Sequence, residues 1–287
     1  MKKILFVLAL VAPGAFLSLP AQADFTFTSE ADVQSLLDQI TGPLTLTISG
    51  GPLSTANTLG GLPHFRLGGG AQLLGLGFHQ PGKPVSDTEK ILLPSLAFQG
   101  KVGVFPGIRV APGVGGILAV DGLYRLGYFP IKQLDNPKYY GMGARVGLLR
   151  DKGLVPALSG SVMYSTFLKK LEFSNEVNVP GVGTVPVYQV LTYKMSIVSY
   201  RADFSKRLAL FAPYVGLGLD DFNATANYDF RDSTGTIHQN RTWAYKRMLK
   251  RSYYGAQFGG AGFATTLELG FAEGGLVHFG AGMSVGF

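Results

Sequence analysis

From residue 277 to the end, the chain alternates almost without a break. Phe279, Ala281, Met283, Val285 and Phe287 are apolar, and the positions between them, His278, Gly280, Gly282, Ser284 and Gly286, are small or polar. Successive residues of a strand point to opposite faces, so this period of two means that the two faces meet different environments. Two settings provide that: the wall of a barrel with lipid on one side, or the edge of a soluble β-sandwich.

The other end of the chain points to the first setting. Lys2 and Lys3 precede an uncharged stretch from Ile4 to Leu19, and Ala21-Gln22-Ala23 supplies small residues before Asp24. That pattern is a cleaved secretory signal peptide over 1–23. The apolar stretch falls short of the ~20 residues of a membrane-spanning helix and is broken by Pro13-Gly14. The chain has no Cys, which excludes disulfides, thiolate metal sites and a lipid anchor on an N-terminal Cys. Without Lys2 and Lys3, 23 basic and 18 acidic residues remain, a formal charge of +5 with no block of like charge, so no nucleic-acid partner is expected. Mean hydropathy is +0.22 although no mature segment is a long apolar run. The apolar residues are therefore spread over many short segments, as in an all-β, closed antiparallel transmembrane β-barrel.

Organisation follows from period and punctuation. Val33, Leu36, Leu37 and Ile40 have helical spacing, and Gly42-Pro43 is a stop signal, so the spacing predicts a short amphipathic helix over Ser29–Thr41. With its linker it forms an N-terminal unit over 24–63, either a plug inside the barrel or a cover on its periplasmic rim. Leu44, Leu46 and Ile48 alternate weakly, as in an extra strand. From 64 to 287 the barrel reads as about ten strands, near 64–79, 91–105, 116–129, 138–150, 154–170, 187–204, 207–222, 250–260, 263–272 and 276–287. Connections at 80–90, 130–137, 171–186 and 223–249 are long and outside, whereas 151–153 and 205–206 are short and periplasmic. If 222–230 and 236–246 form a further membrane hairpin, the count becomes twelve.

Within the strands, Leu92, Leu96, Phe98, Val102 and Val104 are expected to face lipid, as are Leu118, Val120, Tyr124, Leu126 and Tyr128. Tyr128, Phe129, Tyr139, Tyr140, Tyr253 and Tyr254 are expected in the aromatic girdles. The opposite phase puts the charged residues Arg66, Lys101, Asp121, Arg125, Arg145, Arg201, Asp203 and Glu268 in the lumen, with Gln72, Gln99, Ser159, Ser161 and His278. The other choice would set guanidinium groups in lipid at ~2–4 kcal/mol each. The five bases are expected to pair with the three acids. An open path through such a lumen would favour anions or the carboxylate head of an amphipathic solute.

Signs of catalysis are weak. Gly282-Met283-Ser284-Val285-Gly286 matches a nucleophile-elbow pattern but lies inside a strand, where no sharp turn exists. Asp220-Asp221, His238 and His79 could form an omptin-like site, yet adjacent strand residues point to opposite faces, so they read as solvated loop residues. No catalytic, cofactor-binding or metal-binding residue is assigned, no cofactor is expected, and the chain is not expected to be an enzyme.

The helix and Pro43, Pro63-His64-Phe65-Arg66-Leu67-Gly68-Gly69, Gly122-Leu123-Tyr124-Arg125, Phe129-Pro130 and Gly141-Met142-Gly143-Ala144-Arg145 together resemble a family of bacterial outer-membrane β-barrels without an assigned activity. More distantly they resemble the FadL-like (OMPP1-type) hydrophobic-solute transporters. The resemblance implies location in the outer membrane, with membrane lipid and the barrel-insertion machinery as partners. The alternating Phe279, Ala281, Met283, Val285 and Phe287 then resemble the assembly signal of such barrels. Passive uptake or sequestration of a small apolar or amphipathic solute is the leading function, ahead of a non-conducting structural or surface-recognition barrel and of an envelope enzyme. No site residue carries over.

One prediction belongs to the terminal strand. Burial of one rim aromatic contributes at most a few kcal/mol, whereas a recognition residue acts on assembly itself. Phe287→Ala is expected to lower the yield of membrane-inserted protein several-fold while leaving the urea midpoint of refolded protein nearly unchanged. Normal yield with a much lower midpoint would reverse the assignment.

Overall fold

The computed structural model describes residues 30–51, 55–79, 88–108, 116–130, 136–177, 187–231, 237–260 and 262–287. The leader over 1–23 lies outside what it describes, as do the side chains of His79 and His238. Helix α1 spans Glu30–Ser49. The strands are β1 Phe65–His79, β2 Thr88–Phe105, β3 Ala119–Tyr128, β4 Lys138–Leu149, β5 Ala157–Phe167, β6 Leu171–Val177, β7 Val187–Ser205, β8 Phe211–Arg231, β9 Ile237–Gly259, β10 Phe263–Ala272 and β11 Leu276–Gly286.

Each strand pairs antiparallel with its neighbour in sequence order, apart from β6. The seam is closed by β1 against β11, and β5 pairs with β7, which makes a closed barrel of ten strands with β6 as an eleventh, outside the closure. At the seam Phe65 and Phe287 exchange backbone hydrogen bonds of 3.1 and 2.9 Å, and their rings stack at 4.9 Å. This rim is called the C-terminal rim below. β6 continues the line of β5 along the far half of β7, with Leu171 opposite Tyr193 where Thr166 is opposite Ser196.

The outer surface is apolar around the barrel. Leu67, Leu73, Phe98, Val102, Leu126, Val162, Phe204, Leu217, Leu267, Phe279 and Val285 are all exposed, from strands on every side. A continuous exposed apolar belt on a closed barrel is a lipid-facing surface. Its height can be read on β8, where exposed Val215, Leu217 and Leu219 give way to Asp221, Asn223 and Thr225 on the same face. The stretch Phe211–Leu219 matches the ~9–11 residues that a tilted strand needs to cross a bilayer. Beyond it, β8 runs twelve more residues, roughly 40 Å at the usual strand rise, paired throughout with β9. The segment 223–249 is therefore not an outer loop, and 222–230 with 236–246 is no additional membrane hairpin. It is the continuation of two spanning strands, because their alternation runs on past the membrane with polar residues replacing lipid-facing ones.

α1 also differs from its sequence reading. It does not stop at Gly42-Pro43, and Leu44, Leu46 and Ile48 belong to the helix rather than to a strand. Pro43 costs a helix about 3 kcal/mol through its missing N–H. Burial of Leu36, Leu37, Leu44, Leu46 and Ile48 at ~1.5–3 kcal/mol each outweighs that. Thr41, Thr45 and Thr47 turn their hydroxyls onto the carbonyls of Leu37, Thr41 and Pro43 at 2.5, 2.8 and 2.8 Å, so they add no unpaired polar groups to the buried surface. The true end is Gly50, whose N–H donates to Leu46 O at 2.7 Å, followed by Gly51 at φ +96°. A left-handed glycine just past the last turn is a common helix stop.

Glycines make room for this helix. Tyr139, Tyr253 and Tyr214 are buried, and each lies flat across an inward glycine on the neighbouring strand, respectively Gly127, Gly216 and Gly255. A Cβ at any of these glycines would overlap the phenol ring. Tyr139, Tyr253 and Phe129 thus face the lumen rather than the lipid girdle expected for them, whereas Tyr128 and Tyr254 are on the lipid side. Their strand phase decides this: Tyr139 and Tyr253 share the inward phase of Arg145 and Arg251. Gly216→Val is expected to lower barrel stability by about 1–3 kcal/mol through overpacking. Gly260→Ala, which meets nothing within 4 Å, should leave it unchanged. Equal urea midpoints for both variants would count against this packing.

Candidate functional site

The lumen is occupied by the chain's own N-terminal segment. Contacts fix its direction: Tyr193 Oη donates to Thr41 Oγ1 at 3.1 Å, Thr45 Oγ1 approaches Met195 Sδ at 3.6 Å, and Ser49 Oγ donates to Asp220 at 2.7 Å. Asp220 pairs with Ser199, so successive turns of α1 move down β7 toward the C-terminal rim. The helix begins at the far rim and ends midway down the barrel.

The two halves of the lumen differ in chemistry. Around the helix, Leu74, Leu93, Phe129, Tyr139, Phe167, Leu191, Tyr193, Met195, Phe222 and Tyr228 join Leu36, Leu37, Leu44, Leu46 and Ile48 in one buried apolar cluster. Ala224 and Ala226 supply the small surface that lets the helix approach β8. Below the helix the lumen turns ionic. Among the described residues the buried charged side chains are Lys101, Asp121, Arg125, Arg145, Arg201, Asp203, Asp220, Arg251 and Glu268.

These cations grip the backbone that leaves the helix. Arg125 donates to the carbonyls of Ile48 and Gly50 at 2.9 and 2.5 Å, and Arg251 to Ser49 O at 3.2 Å. Arg201 reaches Gly51 O at 3.4 Å, Arg145 reaches Thr55 O at 2.6 Å, and Lys101 reaches Asn57 O at 2.5 Å. Asp121 accepts the N–H of Leu59, and Ser205 Oγ accepts that of Ala56. Five strands, β2, β3, β4, β7 and β9, contribute to this ladder. The helix has no basic residue in its own last turn, so the barrel supplies the cations that its negative C-terminal end attracts.

Carboxylates balance the remainder. Lys101 pairs with Asp121 at 3.2 Å, Arg145 and Arg201 share Asp203 at 3.3 and 3.5 Å, and Arg201 reaches Glu268 at 3.7 Å. Arg251 pairs with Asp220 at 2.8 Å. Tyr253 sits at the centre. Its hydroxyl donates to Asp203 at 2.6 Å and accepts from Arg201 Nε at 2.9 Å, while the Arg201 guanidinium lies 4.1 Å from the ring centroid. Glu268 also accepts from Tyr214 Oη at 3.0 Å and lies 3.3 Å from His278 Nε2.

Of the charged residues assigned to the lumen, Lys101, Asp121, Arg125, Arg145, Arg201, Asp203 and Glu268 come together here, and Arg66 lies half-buried nearer the C-terminal rim. Arg125 is held by carbonyls instead of by one of the three acids expected for it, because the helix end reaches its level of the barrel. Sequence reasoning missed Asp220 and Arg251. Asp220 is buried in the lumen, not solvated at a strand top, since β8 runs eleven residues past it. Both residues already lie in the strands read over 207–222 and 250–260 and have the inward phase there, which is the signal that could have found them. In the terminal strand, Phe279, Val285 and Phe287 are exposed, with Ala281 and Met283 half-exposed. Among the described residues no His, Asp or Glu cluster could hold a metal.

No family model matches the sequence, and no curated protein matches it. Solved structures to which the chain is similar include the translocator domain of the autotransporter NalP from Neisseria meningitidis, at 12% identity and a TM-score of 0.40, covering 89% of this chain and 97% of that one. The Acinetobacter baumannii outer membrane protein Omp33 shows 11% identity and a TM-score of 0.32, over 78% and 98%. The transport unit of the autotransporter AIDA-I from Escherichia coli shows 11% identity and a TM-score of 0.36, over 86% and 97%. The fold described above stands on strand pairing alone.

The clamp yields a specific expectation. A hydrogen bond from a charged donor contributes ~1.5–3 kcal/mol, and Arg125 makes two to one helix end. In Arg125→Met, amide exchange over residues 44–51 should speed up ten- to a hundredfold, with the β1–β11 seam unaffected. Equal acceleration at the seam would show that Arg125 holds the barrel and not the plug.

Proposed function

We propose that this chain is an integral outer-membrane β-barrel held shut at rest by its own N-terminal segment. The exposed apolar belt supports a lipid setting, and the leader read over 1–23 supports an envelope address with a lipid and insertion-machinery context. One observation carries the closed state: α1 with residues 50–51 and 55–59 occupies the lumen from the far rim to the level of Lys101, bonded to the wall at carbonyl after carbonyl. A lumen of ten strands is narrow and is mostly filled by side chains even without a helix. The apolar residues that could line a path for a hydrophobic solute are those packed against Leu36, Leu37 and Leu44. Uptake of such a solute belongs to a state with the helix displaced, and the resting barrel is a closed wall with a long sheet at its far rim. No catalytic role is proposed.

Planar-bilayer recording tests this reading. Refolded full-length protein should be silent or open only in brief bursts, and a variant lacking residues 24–51 should give long-lived openings. Steady conductance from the full-length protein would overturn the closed state, and silence from a folded deletion variant would overturn the helix as its cause.

A further inference from the structure

The C-terminal rim holds a cavity that the plug does not fill. It has a volume of about 650 Å³ and is open on one side. Arg66 of β1, Lys101 of β2, Arg150 and Lys152 of the β4–β5 turn and Arg207 of the β7–β8 turn all line it. Against these five cations, the lining offers one side-chain carboxylate, that of Asp151. Asp151 is already engaged: Lys206 Nζ binds it at 2.7 Å, and the N–H of Arg207 donates to its other oxygen. Lys101 is likewise matched by Asp121. The excess positive charge therefore comes from the side of the cavity formed by Arg150, Lys152 and Arg207.

The architecture concentrates this charge where solvated cations would otherwise stay apart. The Lys206–Asp151 bridge ties two neighbouring turns together and fixes Arg207 near Lys152. Arg150 lies against Gly60 and Gly116, both at positive φ, whose missing side chains leave it a bed at the cavity wall. Cations of one sign lining a cavity with low-dielectric walls focus its field and attract anions. Guanidinium groups add forked donors that match phosphate and carboxylate oxygens.

We propose that this vestibule is a binding site for a compact anion with more than one negative charge, bearing phosphate or carboxylate groups. The site is separate from the plug and stands whether or not the barrel opens. Two sources carry that chemistry, a soluble polyanion and the phosphate of a lipid headgroup reaching over the rim.

Calorimetric titration of the refolded protein in nonionic detergent tests the site, with inorganic pyrophosphate in one arm and dihexanoyl phosphatidylglycerol in the other. Saturable binding that weakens with added salt is expected in at least one arm, and the tighter arm identifies the source. Arg150→Ala with Lys152→Ala should weaken it on the order of tenfold, as two partly exposed ion contacts would. Lys169→Ala with Lys170→Ala, which removes two exposed charges beyond the far end of β5, should leave it unchanged. Heat-modifiable gel mobility confirms that both variants are folded. Absence of saturable binding in both arms, or equal weakening by the two double variants, would overturn the site.

Discussion

Everything inside this barrel depends on the meeting of a helix C-terminus with buried guanidinium groups. Among the described residues the lumen contains five buried cations, Lys101, Arg125, Arg145, Arg201 and Arg251, and four buried carboxylates, Asp121, Asp203, Asp220 and Glu268. The deficit of one negative charge falls at Arg125, where the carbonyls of Ile48 and Gly50 are. A helix C-terminus carries roughly half a negative charge and up to four carbonyls without intrahelical partners. Each side therefore satisfies what the other lacks. Without the helix, Arg125 would be a buried cation with no counter-charge, and without the arginines the last turn would end in unpaired carbonyls.

The division of the lumen into an apolar far half and an ionic near half follows from that meeting. Alongside the body of the helix, where its backbone is internally bonded, the wall needs only to exclude water, and leucines, aromatics and alanines do so. Where the helix ends, backbone groups need partners, and the wall changes to Arg, Asp and Tyr. Tyr253 and Tyr214 serve both needs, since their rings lie flat on glycines and their hydroxyls complete the ionic network. The abundance of glycine is thus partly a matter of volume: a ten-stranded wall must be thin at chosen points to admit a helix.

Strand phase made much of this legible before any coordinates. Alternation separates Leu92, Phe98 and Val102 from Lys101, and Tyr124 and Leu126 from Arg125, because a period of two leaves each residue only one of two faces. The short connections between β4 and β5 and between β7 and β8 at the C-terminal rim were legible from their local punctuation. Less was legible around the helix. Gly50-Gly51-Pro52 is the stronger stop signal, but Gly42-Pro43 comes first, and local propensity at Pro43, Thr45 and Thr47 speaks against helix. Only the enclosing wall reverses that balance. The far halves of β8 and β9 were likewise read as loop, since their outward residues are polar once the strands have left the lipid.

By itself, then, the amino-acid sequence determined the barrel, its approximate strand count, its lipid face and the inward set of charges, because each rests on alternation between near neighbours along one strand. Only the tertiary structure decided what those charges bind. That Arg125 holds a carbonyl, that Asp220 and Arg251 belong to the network, that Tyr139 and Tyr253 lie on glycines and that Arg66, Arg150, Lys152 and Arg207 share one cavity all depend on register between strands and on a helix threaded through them. These contacts join residues up to two hundred positions apart, and no local pattern encodes which of the many possible partners is brought within 3 Å.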